Sequence, residues 1–224
     1  MESLKKFEEI CEKDIRQDSF VIFDSTQPGN YRRHTLKDIY QRAERIRLHD
    51  GVPDKIRSHF ETARNLVVYS WFYYPFNVTA QLCAYTSVEY ALRVKAGNPS
   101  RRPSFRKLLK MAVEQNWIRD ESFSHVKRKH ENLRASNEGI PAEFQIPESE
   151  LAQEYCKRMI EALPFLRNTL AHGSTMLHNH GAKEVSICAD LINQLFPNPS
   201  ALVASLKSNA GEKTNESKRH AKPD

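Results

Sequence analysis

Apolar residues return every three or four positions along most of this 224-residue chain, and only seven glycines interrupt it. That spacing lines up side chains on one face of a helix, whereas strand alternation is sustained nowhere apart from residues 20–23, which suit a brief extended piece. The expected fold class is therefore all-α. Two long core helices are predicted at 54–73 and 75–96, one buried through Ile56, Phe60, Ala63, Val67 and Tyr74, the other through Phe76, Ala80, Cys83, Ser87, Ala91 and Val94. Gly97, Asn98 and Pro99 stop the second.

Residues 1–53 read as a helical extension that precedes this core. They hold an amphipathic pattern at 3–16, a turn-rich stretch at 24–33 around Pro28-Gly29-Asn30, and a helix at 36–48 closed by Asp50, Gly51 and Pro53. The core is expected to span 54–199, with further helices at 104–116 and 120–136 and a loop carrying Gly139, Pro141 and Pro147. A long helix follows, starting near Pro147-Glu148 and bent or restarted by Pro164, and a last one runs over 182–196. The polar stretch at 200–224 lacks aromatics and is expected to be disordered.

Composition narrows the function classes. Hydrophobic residues make up 39%, and no apolar run approaches the ~18 to 20 residues of a membrane span. The first nine residues hold no apolar segment before a small-residue cleavage site, so the expected location is cytoplasmic. Cys11, Cys83, Cys156 and Cys188 are far apart, which fits reduced thiols better than a disulfide framework. The formal net charge is +6, of which the stretch beyond Ser205 supplies +2, so the body of the chain is basic too. Arg101, Arg102, Arg106, Lys107 and Lys110 come with no acid between them, and Lys127, Arg128, Lys129 and Arg134 follow. Such stretches attract a polyanion, and Arg101, Arg102, Arg106 and Lys107 are the candidate nucleic-acid contacts; an ordinary solvated helix face explains the same residues equally well.

The most chemically suggestive run is Leu166-Arg167-Asn168-Thr169-Leu170-Ala171-His172-Gly173. An always-protonated guanidinium offers a fork of donors that fits a phosphate, and an imidazole takes up and returns a proton near neutral pH. With 18 Arg and 9 His in the chain, roughly 0.7 Arg-x4-His pairs arise by chance, and requiring Asn after the Arg lowers this to roughly 0.04. On a helical wheel Leu151, Tyr155, Met159, Leu163, Leu166 and Leu170 form the stripe expected to face the core. Asn168 and His172 point away from it, and Arg167 lies on its flank, from where a long side chain reaches round. A purely structural role competes: Gly173 suits a helix C-terminus, where a histidine caps carbonyls.

Glu89 in Ser87-Val88-Glu89-Tyr90-Ala91-Leu92-Arg93 either orients Arg167 or His172 or simply pairs with Arg93 one turn on. His178-Asn179-His180 offers two nitrogens without a third or fourth ligand, so no metal is expected, and these residues more readily form the turn beside the motif. A phosphate-binding Gly-rich loop, a nucleophile elbow and a dinucleotide fingerprint are all missing from the sequence, so no cofactor is expected.

Arg-Asn-x-x-x-His, followed by Gly near the end of a long helix and then by another helix, resembles the signature of the HEPN superfamily over roughly residues 54–197. The resemblance implies an all-helical bundle that works as a homodimer. It also implies a metal-independent endoribonuclease, frequently a toxin or effector in bacterial defence, although other members only bind RNA, a nucleotide or a partner, or dimerise. It makes Arg167 the phosphate clamp, Asn168 a positioning residue and His172 the general acid/base, with two copies lining one cleft and leaving a 2′,3′-cyclic phosphate. RNA, a second copy and an antitoxin or other regulatory protein are the implied partners. Members held by a nucleotidyltransferase antitoxin typically carry Tyr two residues after the His, where this chain has Ser174.

Overall fold

The computed structural model describes residues 3–97, 103–145, 155–173 and 177–198, and the fold is all-α. Among the described residues a two-stranded ribbon, β1 (Val21–Phe23) and β2 (Tyr31–Arg33), precedes seven helices. These are α1 (Leu36–Arg45), α2 (Asp54–Tyr69), α3 (Phe76–Lys95), α4 (Phe105–Glu114), α5 (Ser124–Asn137), α6 (Tyr155–Ala171) and α7 (Gly181–Leu195).

Helix α3 is the centre of the bundle, packed by α2, α4, α6 and α7. Its small and apolar residues run round the helix, so burial spreads beyond the expected single stripe: Ala80, Ser87 and Ala91 are buried, but so are Ala84, Tyr85, Val88 and Leu92, while Cys83 and Val94 are only half-buried. An element enclosed on several sides needs no one-sided pattern. Helix α2 buries Ile56, Phe60, Ala63 and Val67 as expected but ends at Tyr69, leaving buried Tyr74 in the turn to α3. Helix α7 contributes Val185, Cys188, Leu191, Ile192 and Leu195 to the same core.

The approach of α7 to α3 is closest at Gly181, where an added Cβ would lie 2.6 Å from Asn77 Oδ1 and 3.0 Å from the Asn77 carbonyl oxygen. The backbone carbonyl cannot rotate away as a side chain can. Gly181→Ala should therefore destabilise the fold by about 1–3 kcal/mol through overpacking, read as a lowered urea midpoint.

The expected first helix at 3–16 does not form. Short 3₁₀ turns at Phe7–Glu9 and Ile15–Ser19 replace it. Leu4, Phe7 and Ile15 stay exposed, so a short helix here would lack the packed face that stabilises most protein helices. The chain is held instead by Asp14, whose carboxylate accepts from Tyr74 N at 2.9 Å and from Arg16 N at 3.0 Å, and by Gln17 Nε2, which donates to the Ser70 carbonyl at 2.7 Å. The extended piece at 20–23 is present as β1, and the turn-rich stretch supplies its partner, with Phe23 opposite Tyr31 and Gly29 at φ 77°.

Helix α1 opens with a capping box: Thr35 Oγ1 accepts from Asp38 N, and Asp38 accepts from Thr35 N. Arg32 forks onto both Asp38 oxygens at 2.8 Å, tying the ribbon to the helix. The Arg32 guanidinium, opposed by partial burial and helped by Thr35, holds the Asp38 carboxyl well below the usual carboxylate range. A depressed folded-state pKa contributes stability above the unfolded value and loses it as pH falls towards the folded one. Asp38→Asn should cost about 1–2 kcal/mol at pH 7, and urea unfolding should show the difference shrinking below about pH 4.

The motif helix α6 is described from Tyr155, where Asp120 caps it by accepting from Tyr155 N and Cys156 N at 2.8 Å each. Its expected start near 147, Leu151 and the stretch at 200–224 lie outside the described residues. The helix runs through Pro164 without a restart. Cys156 and Cys188 are buried, Cys83 is half-buried and Cys11 exposed, all as free thiols. Among the described residues no helix is long and apolar enough to cross a membrane.

Candidate functional site

Helix α6 buries Cys156, Met159, Leu163 and Pro164, and Leu170 packs partly against the core. Leu166 departs from the expected stripe and is 39% exposed. The reason is angular: at about 100° per residue it falls at the edge of a seam centred on Cys156 and Leu163. Phe165, His172 and Asn168 all lie on the far side, and Phe165 is 67% exposed.

Arg167 reaches as far as Asn168 on the outward face, but Glu89 on α3 holds most of its guanidinium. Five positions on a helix are about 140° apart, and the carboxylate of Glu89 on α3 lies on the side that Arg167 already faces. Its Nε donates to Glu89 Oε2 at 3.2 Å, a second guanidinium nitrogen pairs with the same oxygen, and the third donates to Asn168 Oδ1 at 2.8 Å. Glu89 is only 5% exposed, and its other oxygen pairs with Arg93 one turn along α3. Both roles expected for Glu89 as a partner of arginine are thus filled at once, while no contact joins it to His172. One buried carboxylate serves two guanidiniums, and Arg93 Nε is buried with no hydrogen-bond partner. The cluster carries one uncompensated positive charge.

These groups open on a groove of about 610 Å³ between α3, α4 and α6. Glu89, Arg93, Arg167 and Asn168 line it, with Phe165 on one wall and Arg106 on the other. Of the expected RNA contacts, Arg106 is thereby brought to the motif, although its guanidinium is paired at 2.6 Å with exposed Glu161. Lys107 is exposed on α4 away from the groove lining. Arg101 and Arg102 lie outside the described residues.

His172 ends α6 in the open. Its N–H donates to the Asn168 carbonyl at 2.9 Å, and Gly173 follows at φ 90°, a left-handed conformation that favours glycine and closes the helix. No side-chain partner of the imidazole occurs among the described residues. Beyond it, Gln81 Nε2 donates to His178 Nδ1 at 3.1 Å, and the rings of His178 and His180 sit 5.3 Å apart. Burial, then the neighbouring His180, pushes the His178 pKa down. Among the described residues no group of three His, Cys, Asp or Glu side chains could hold a metal ion.

Arg93 and Phe165 were not anticipated as parts of the site. Phe165 carried a visible signal, an aromatic ring off the leucine stripe on the side of Asn168 and His172. Arg93 carried none beyond its i,i+4 spacing from Glu89. No family model, curated protein or solved structure matches the chain, so its function is read from these residues alone.

Proposed function

We propose that this chain is a metal-independent endoribonuclease of HEPN type that acts as a homodimer, in the manner of a bacterial toxin or defence effector in the cytoplasm. The observation that carries this reading is the sharing of one buried carboxylate by Arg93 and Arg167 at the wall of an open groove. Three of the five N–H donors of Arg167 are spent on Glu89 and Asn168, and the two left are available to phosphate oxygens. The brace fixes the guanidinium without neutralising the groove, which is what a phosphate clamp needs.

Cleavage then requires a base for the 2′-hydroxyl proton and an acid for the leaving oxygen. His172 fills one of these roles in each copy. One chain supplies a single His172 and a single Arg167, so a second chain across a two-fold axis is needed to put two imidazoles and two guanidiniums in one cleft. Exposed Phe165, on the outward part of α6, supplies apolar surface for that contact. Two imidazoles exchange the protons and two guanidiniums oppose the developing charge, so no step calls on a metal. Control by an antitoxin or another regulatory chain belongs to the same reading.

The engagement of Arg167 by Glu89, with no side chain among the described residues paired with the His172 imidazole, also favours a second reading, a module that docks RNA or a partner and cuts nothing. A fluorescent single-stranded RNA incubated with the protein in EDTA separates the two. Cleavage supports the enzyme, and salt-sensitive retention of intact RNA supports the binder. Light scattering is expected to give twice the 26.0 kDa chain mass; a monomer whose activity is independent of concentration would refute the shared cleft.

A further inference from the structure

A second basic groove, of about 600 Å³, lies where the N-terminal extension meets the core. Arg42 and Arg45 reach it from the last turn of α1, Arg128 from α5 and Lys183 from the first turn of α7. None of these four cations forms an ion pair among the described residues. The acid in the lining, Asp190, is engaged by Ser124, whose N–H and hydroxyl donate to it at 2.8 and 3.0 Å. The groove therefore concentrates four cations around a carboxylate that is already hydrogen-bonded, and the positive end of the α7 dipole adds to them.

A smaller cavity of about 150 Å³ adjoins it, with Arg42, Asn179 and Ala182 lining both spaces. A cavity of that size holds a benzene-sized ring, and an apolar one stays dry. This one is polar. Gln17, His34, Asn77 and Asn179 bring polar groups to its lining, beside Tyr74.

We propose that the groove and cavity together bind a phosphorylated ligand of nucleotide size, its phosphates on Arg42, Arg45, Arg128 and Lys183 and a planar polar ring in the cavity beside His34. A phosphate-bearing ligand could equally be a free nucleotide or a length of RNA backbone. The adjoining polar cavity favours the free nucleotide, because an extended strand has no need of it. The proposal stands apart from the ribonuclease reading, since none of these residues lines the motif groove.

The test is calorimetric titration of the full chain with each of the four ribonucleoside triphosphates, the corresponding nucleosides and pyrophosphate. At least one triphosphate should bind in the micromolar range, and its nucleoside should bind at least ~100-fold more weakly. Arg45→Glu and Arg128→Glu, both at exposed positions, should each weaken it at least ~10-fold with the helical circular dichroism unchanged. His34→Phe should weaken the triphosphate and leave pyrophosphate binding alone; loss of neither would overturn the placement of the ring. Failure of all four triphosphates to bind at about 5 mM, or binding indifferent to both charge reversals, would overturn the site. Single-stranded RNA held through the same arginines and displaced by no triphosphate would overturn the small ligand in favour of a strand.

Discussion

Replacing His172 with alanine is expected to abolish RNA cleavage while leaving the fold as stable as before. Loss of a positioned acid/base group typically removes ~10² to 10⁴ in rate, and here both copies lose it together. The imidazole is exposed and makes no side-chain contact among the described residues, so neither circular dichroism nor the urea midpoint should move. Arg167→Ala should abolish cleavage as well, but its stability should fall by about 1–2 kcal/mol, because Glu89 is left buried with Arg93 alone. The contrast between the two variants, one silent in stability and one not, follows from the orientation of Arg167 towards α3. Turnover by His172→Ala equal to that of the wild type would remove the catalytic assignment.

The largest effect on stability at the site should come from Glu89. Removing one partner of a buried ion pair typically costs about 3–5 kcal/mol, but both arginines are about one-third exposed and can rehydrate, so Glu89→Ala should cost roughly 2–3 kcal/mol. Glu89→Gln keeps the volume and part of the hydrogen bonding and should cost less. As a positioning residue Glu89 acts through Arg167. Glu89→Gln should therefore lower kcat by releasing the guanidinium that opposes charge in the transition state, with a smaller change in KM. A double-mutant cycle with Arg167→Ala should show the two effects to be strongly non-additive. Additive losses would mean that the ion pair is only a structural tie.

Much of the bundle was legible because helical periodicity and its punctuation agree: α2, α3, α4 and α7 fall within a few residues of the stretches that Gly, Pro and Asn delimit. The exception at 3–16 shows the limit of that signal. Its amphipathic pattern has no surface to bury against, and long-range bonds from Asp14 and Gln17 to the α2–α3 turn decide its path, which no local pattern records. At the site, the outward placement of Asn168 and His172 was legible from the wheel. The turning of Arg167 was not, since it depends on a carboxylate 78 residues away in sequence. Nor could spacing show that Arg42 and Arg45 of the extension would stand beside Arg128 and Lys183, because that cluster exists only once α1 packs on the core.

The most direct test of the central claim is analysis of the RNA ends left by the purified protein in EDTA, compared with His172→Ala at the same concentration. Attack by the 2′-hydroxyl, driven by a histidine base and completed by a histidine acid, should give 2′,3′-cyclic phosphate and 5′-hydroxyl ends from the wild type and intact RNA from the variant. Intact RNA with both proteins, or 3′-hydroxyl and 5′-phosphate ends from either, would contradict it.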